Sequence, residues 1–209
     1  MKTNTISELN RSAPSSPGAK VAVVYHSATG TTQALAHAII EGINTDTSVE
    51  VNELRIVGSD IREGRFVNDA FMQTLCEVDA VVFGTPTYMG SVSAQFKSFA
   101  DASGELWSTR SWAGKVAAGF TIGSNYSGDQ LSAIQYLNVF ASQHGMLWTS
   151  LDIPGGYDED GLNRLGAQSG LIAQSADGRV DPIDLGTARH LGMRVARFAK
   201  LVNAAPVKI

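Results

Sequence analysis

The chain has a single cysteine, Cys76, so it can form no intramolecular disulfide and a reducing compartment is expected. Cys76 itself reads as a small buried hydrophobe. No stretch approaches the roughly 20 consecutive apolar residues of a membrane span. Residues 1–18 carry Ser12, Pro14, Ser15, Ser16 and Pro17 but no apolar core, so they are not a secretion signal. They are expected to be a disordered lead, followed by one domain over 19–209 in a cytoplasmic protein. Excess positive charge is also missing: 16 Lys and Arg stand against 20 Asp and Glu, a net charge of −4, which argues against nucleic acid as the main partner. His26, His37 and His190 lack metal-ligand spacing with any Cys or carboxylate cluster. No Ser/His/Asp arrangement can be assembled either. What is present is an ordinary globular balance, 44% hydrophobic and 17% charged, in a length that suits one α/β domain.

Apolar runs and amphipathic stretches alternate, which predicts an α/β fold with a doubly wound parallel sheet and helices on both faces. Five strands are expected, at Val21–Tyr25, Val49–Leu54, Ala80–Phe83, Val116–Ile122 and Met146–Leu151. Helical stripes follow from Leu35, Ile39 and Ile43; from Phe96, Phe99 and Ala100; and from Leu131, Ile134, Leu137 and Ala141. A short helix is expected over Ala70–Leu75 and a long one over Leu185–Val202. Right-handed crossovers then give the order 2-1-3-4-5, with a ligand outside the C-terminal ends of strands one, three and four. The loops at those ends are Ser27–Thr32, Thr85–Gly90 and Gly123–Asp129, all rich in glycine and hydroxyls. Asp152 to Asp184 is a connection without periodicity, long enough to be functional, expected to cover a cofactor or reach a neighbouring subunit.

The first loop carries the clearest chemistry. A buried strand ends at Val23-Val24-Tyr25-His26, a hydroxyl-rich turn follows over Ser27, Ala28, Thr29, Gly30, Thr31 and Thr32, and a helix begins at once. The first helical turn has backbone N–H groups without partners and the positive end of the dipole, so a phosphate fits there. No Lys or Arg lies in the loop. A Walker loop is excluded because Thr31-Thr32 stands where Gly-Lys-Ser/Thr would fall, and a Rossmann fingerprint because only Gly30 is present. A glycine turn with a threonine N-cap is the plainer alternative. Val23, Val24, Tyr25, Ser27, Gly30, Thr32 and Ala36 together resemble the flavodoxin phosphate loop, which implies a flavodoxin-like sheet and bound FMN.

The second loop narrows the resemblance. Gly84-Thr85-Pro86-Thr87-Tyr88-Met89-Gly90 runs into Ser93-Ala94-Gln95, then Lys97, Phe99 and Asp101, then Gly104-Glu105-Leu106-Trp107. Read alone, this could be an ordinary connection with Ser91 or Ser93 capping a helix, its glycines letting backbone approach a flat ligand. With Ala113-Gly114-Lys115 and His144-Gly145-Met146 downstream, it is similar to the WrbA-type NAD(P)H:quinone oxidoreductases over nearly the whole chain after Gly18. The resemblance implies that Ser27 to Thr32 hold the FMN phosphate. It puts Pro86, Thr87, Tyr88, Met89 and Gly90 along the ring and ribityl chain. Ile122, Gly123, Ser124, Asn125, Tyr126 and Ser127 would meet the ring's far edge, and His144 the flavin. Trp107 would wall the substrate pocket. Anchored packing for Trp107 and a helix-terminal role for His144 stay open.

The same resemblance implies a double displacement in which NAD(P)H reduces FMN and a quinone leaves with the electrons. Backbone N–H groups of the second and third loops would face the ring, and a homodimer or homotetramer would complete the pocket. Three positions depart from the family pattern. Thr29 replaces an aromatic, Tyr88 replaces a cation beside the ring, and Gly123–Gly128 has fewer glycines. They leave NADH against NADPH preference open. Two alternatives remain, an electron-carrier flavodoxin, for which a charge of −4 is mild, and an FMN-containing interaction protein with weak reductase activity.

Overall fold

The computed structural model describes residues 18–157 and 159–205, so the lead expected over 1–18 falls outside it apart from Gly18. In chain order the elements are β1 (Ala19–His26), α1 (Thr31–Ile43), β2 (Val49–Ile56), β3 (Ile61–Arg62), β4 (Arg65–Phe66), α2 (Asp69–Glu77) and β5 (Ala80–Pro86). Then come α3 (Ala94–Ala102), α4 (Gly104–Ser108), β6 (Val116–Gly123), α5 (Gln130–Gln143), β7 (Leu147–Trp148), β8 (Leu171–Gln174) and α6 (Pro182–Ala204). β1, β5 and β6 are buried along almost their whole length, as apolar runs covered on both faces must be.

The sheet has the flavodoxin-like order β2-β1-β5-β6, all parallel, with its fifth position shared by two short strands. β7 pairs with the start of β6 at Val116 and Ala117, and β8 with its end from Phe120 to Gly123. The order 2-1-3-4-5 is therefore present with the last strand in two pieces. The strand expected over Met146–Leu151 is cut to Leu147–Trp148, because the chain turns away toward Pro154-Gly155-Gly156 and returns to the same edge at Leu171. The polar stretch after β2 also holds the small antiparallel β3–β4 pair.

Alternate side chains of β1 feed two cores. Val21, Val23 and Tyr25 face α1 and α6, while Ala22 and Val24 face the layer of α2, α3 and α5. The second core is aromatic: Phe83, Phe96, Phe99, Trp112 and Phe140 meet at centroid distances of 5.3–6.5 Å. In the first core α1 and α6 touch backbone to backbone. A Cβ added at Gly42 would lie 2.0 Å from the Arg189 carbonyl oxygen, and one at Gly192 2.1 Å from that of Ile39. Cys76 is half-buried rather than in the core, and its carbonyl at the end of α2 accepts a hydrogen bond from Lys115 Nζ at 2.9 Å.

Candidate functional site

The turn after β1 is built around Ser27. Its Oγ accepts hydrogen bonds from the Gly30 and Gln33 N–H groups, each at 3.2 Å, so the N-terminus of α1 is capped from three residues upstream and not by a threonine. Gly30 takes φ +94°, where a side chain would be strained. Ala34 N–H donates to the Gly30 carbonyl, and the Thr31 and Thr32 N–H groups keep no partner within the described residues. Two free N–H groups, the donor capacity of the Ser27 hydroxyl and the positive end of the helix dipole thus belong to one turn. Arg55 at the end of β2 brings the nearby positive charge absent from the loop. Its Nη2 donates to the Ser27 carbonyl at 3.0 Å. Burial, and then the Arg55 cation, hold the adjacent His26 below its usual pKa, so His26 adds no charge.

Thr29 and Thr31 form one end of an open cleft of about 280 Å³ whose other walls include Pro86, Thr87, Tyr88, Ile122, Gly123 and Ser124. It lies at the C-terminal ends of β1, β5 and β6, where the strand order reverses. Pro86 and Ile122 are buried apolar walls, and Ala28 is exposed at the rim. Tyr88 to Ser91 is a tight turn closed by Tyr88 N–H to the Ser91 carbonyl at 2.9 Å and its reciprocal at 3.1 Å. Its central residues, Met89 at φ +47° and Gly90 at φ +74°, are both left-handed, and Met89 is fully exposed. Thr87 N–H donates to the Ile122 carbonyl at 2.9 Å. Thr87 and Tyr88 therefore spend their N–H groups inside the protein and have none for a ring. Gly84 serves packing, not ligand approach: a Cβ there would sit 2.1 Å from Cζ of Phe120. Ser93, not Ser91, caps α3, accepting from the Phe96 N–H at 3.2 Å.

The third loop is held from below by Gln130, which is fully buried. Its Nε2 donates to the Asn125 carbonyl at 2.7 Å, and its Oε1 has no partner among the described residues. Ser124 lines the cleft, and Asn125, Tyr126 and Ser127 follow it as exposed residues that do not line it. The sequence pattern missed three groups here. Arg55 and Gln130 lie on regular elements with nothing to mark them. Ser175, Ala176 and Gly178 follow β8 and line the cleft with Thr29 and Thr31.

Trp107 and His144 are not in this cleft. α3 and α5 run antiparallel to the strands, so whatever ends or follows them returns to the N-terminal edge of the sheet. There Trp107, His144, Arg110 and Gln143 line a separate cavity of about 500 Å³. Trp107 is 53% exposed. His144 is interior: its ring centroid lies 4.2 Å from Trp112 and 5.1 Å from Phe140, and Nε2 is 2.9 Å from Ser103 Oγ. It also closes α5, with Gly145 at φ +70° and its N–H on the Ser142 carbonyl at 3.0 Å. Within one chain neither residue reaches the cleft. His37 and His190 pair with Glu53 and Asp152.

Burial pulls the His144 pKa from 6.5 down to about 4. An unfolded chain takes up that proton nearer 6.5, so the stability contributed by neutral His144 is complete above about pH 6.5 and fades as pH falls to about 4. The loss is on the order of 3 kcal/mol. His144→Gln, which keeps a partner for Ser103, is expected to flatten that part of the profile of thermal midpoint against pH. An unchanged slope would contradict this assignment.

The residues present fit FMN. One end of the cleft offers N–H groups, hydroxyls and a helix N-terminus to a dianion, no carboxylate lines it among the described residues, and its walls combine apolar Pro86 and Ile122 with the uncharged Thr87, Tyr88, Ser124 and Ser175. Comparison with known proteins agrees. The sequence profile of the NADPH-dependent FMN reductase family matches residues 19–151. A flavodoxin, WrbA-like protein from Agrobacterium tumefaciens is 38% identical, with a TM-score of 0.67 over 88% of this chain and 98% of that one. Flavodoxin FldP of Pseudomonas aeruginosa is 36% identical over 193 residues, 88% of this chain and 99% of its own. Quinone-oxidoreductase QR2 of Triphysaria versicolor is 32% identical over 199 residues, 88% of this chain and 97% of its own.

Proposed function

The chain belongs to the NADPH-dependent FMN reductase family, as a flavodoxin-like FMN protein of the WrbA type, and from that membership we propose that it passes two electrons from NAD(P)H to a quinone. The observation that carries the reading is the cleft itself: an anion cradle at one end, uncharged walls that include the apolar Pro86 and Ile122, and a side left open. Tyr88 is half-exposed and Met89 fully exposed beside that opening, so one face can receive nicotinamide and quinone in turn. Bound FMN supplies the two-electron chemistry, and the protein supplies orientation and a dry, uncharged surface. Ser27, Thr31 and Thr32 hold the phosphate, and Pro86 and Ile122 exclude water from the inner side of the cleft.

The open side calls for a cover, and Trp107 is an exposed aromatic at the other end of each chain. It reaches a cleft only from a second copy, so the working form is a homodimer or homotetramer with Trp107 contributed by a neighbour. Trp107→Ala is expected to lower quinone turnover about tenfold while FMN affinity stays within about twofold. Steady-state kinetics with benzoquinone beside a flavin titration check this, and the reverse pattern would contradict it. The reading as a whole is tested by NADPH consumption with benzoquinone as acceptor: quinone-dependent turnover supports it, and none opposes it.

The likeness to flavodoxin FldP favours a second reading, an electron carrier. Tyr88 in place of a cation fits it, since the cleft then offers a nicotinamide dinucleotide no charge of its own. A carrier would leave NAD(P)H unused and accept electrons only from another protein.

A further inference from the structure

The connection between β7 and α6 is fastened to the third cofactor loop more firmly than a surface loop requires. Arg164 grips Asp184 with a two-pronged fork, Nε to Oδ1 and Nη2 to Oδ2, both 2.8 Å. Asp184 is 2% exposed, and its Oδ2 also accepts from the Gln174 N–H at 3.1 Å. Asp181 lies 3.5 Å from the same guanidinium, and the Arg164 carbon sits 5.9 Å from the centroid of the Tyr126 ring. Gln174 in turn donates through Nε2 to the Ser124 carbonyl at 2.7 Å, and Ser175 N–H to the Gly123 carbonyl at 3.0 Å. Arg164, Gln174 and Ser175 of the connection thereby reach Tyr126, Ser124 and Gly123.

Burying a carboxylate is costly, and an apolar pair of the same volume would hold a loop at least as well. What the fork adds is fixed geometry, because it sets a planar group between Asp184 and Tyr126 in one orientation. The segment so placed begins with Ser175, whose Oγ is shielded from solvent and has no partner among the described residues. Ser175, Ala176 and Gly178 then line the cleft beside Thr29 and Thr31.

We propose that this connection is a built fourth wall of the cofactor cleft, and that Arg164 is the positioning residue that sets both the wall and the third loop. The proposal rests on the reading of the cleft as the FMN site. Arg164 acts through Asp184, Gln174 and Tyr126, and the Ser175 hydroxyl is the spare hydrogen-bonding group the wall brings.

Two variants test it with FMN titrated into the full-length apoprotein. Arg164→Lys keeps a charge beside Asp184 but loses the fork and the planar face. It is expected to weaken FMN binding about tenfold and to shift the visible band of the bound flavin. Gln174→Met removes only the tie to Ser124 from the surface. It is expected to weaken FMN about fivefold and move the same band, with the apoprotein's thermal midpoint unchanged. If Arg164→Lys does not fold, Gln174→Met decides alone. Wild-type affinity and wild-type flavin spectrum in the folded variants would overturn the proposal. Failure of the wild-type protein to bind FMN saturably would overturn the cofactor reading beneath it.

Discussion

Gly42→Ala is expected to lower stability by about 3 kcal/mol, a fall of roughly 10 °C in thermal midpoint, and to weaken FMN binding along with it. The reason is distance. A methyl group at Gly42 would need the space of the Arg189 carbonyl, 2.0 Å away on α6, so the two helices must separate. Backbone on one side and a helix interior on the other leave no rotamer to relieve the clash. The alanine's better helix propensity offsets only about 1 kcal/mol of this. Since the far end of α1 is the anion cradle, any shift of the helix is also a shift of the Thr31 and Thr32 N–H groups. Gly58→Ala, with nothing within 4 Å of its added Cβ, is the matched control and is expected to be neutral. Calorimetry and a flavin titration on the two variants check the account, and a Gly42→Ala protein as stable as wild type would contradict it.

Ser27→Ala is expected to weaken FMN binding about thirtyfold, close to 2 kcal/mol, with a smaller loss of apoprotein stability. One hydroxyl oxygen takes both the Gly30 and Gln33 N–H groups and fixes the curvature of the turn, while its own proton is left for an anion. Removing it leaves two N–H groups without a partner and lets the cradle open. Thr29→Ala is the contrast. The Thr29 hydroxyl makes only a 3.4 Å contact with that of Thr31 on the exposed rim, so an effect of about twofold is expected. Equal effects of the two substitutions in fluorescence titrations would remove Ser27 from its assigned place.

Much of this is legible in the amino-acid sequence. β1, β5 and β6 announce themselves as uninterrupted apolar runs because a parallel strand is covered on both faces. The long amphipathic stripe of α6 and the hydroxyl-rich turn at Ser27 are equally plain. Less legible was the fifth strand, since Leu147–Trp148 and Leu171–Gln174 share one edge of β6 and neither is long enough to show a period. Gly84 has a cause that no local pattern carries, the ring of Phe120 on the neighbouring strand. The same holds for Arg55 and Arg164, whose partners Ser27 and Asp184 lie far away in sequence. Trp107 and His144 show the opposite difficulty. Helix direction alone sends residues after α3 and α5 to the N-terminal edge of the sheet, and the motif that carries them does not show that direction. Among the described residues no helix is long and apolar enough to cross a membrane.

The most direct test of the central claim is an anaerobic titration of the FMN-loaded protein with NADPH and, separately, NADH, followed in the visible spectrum. The account predicts that at least one of them bleaches the flavin fully, by two electrons, and that benzoquinone then restores the oxidised spectrum at once. A bound flavin that keeps its oxidised spectrum with both nucleotides would contradict it.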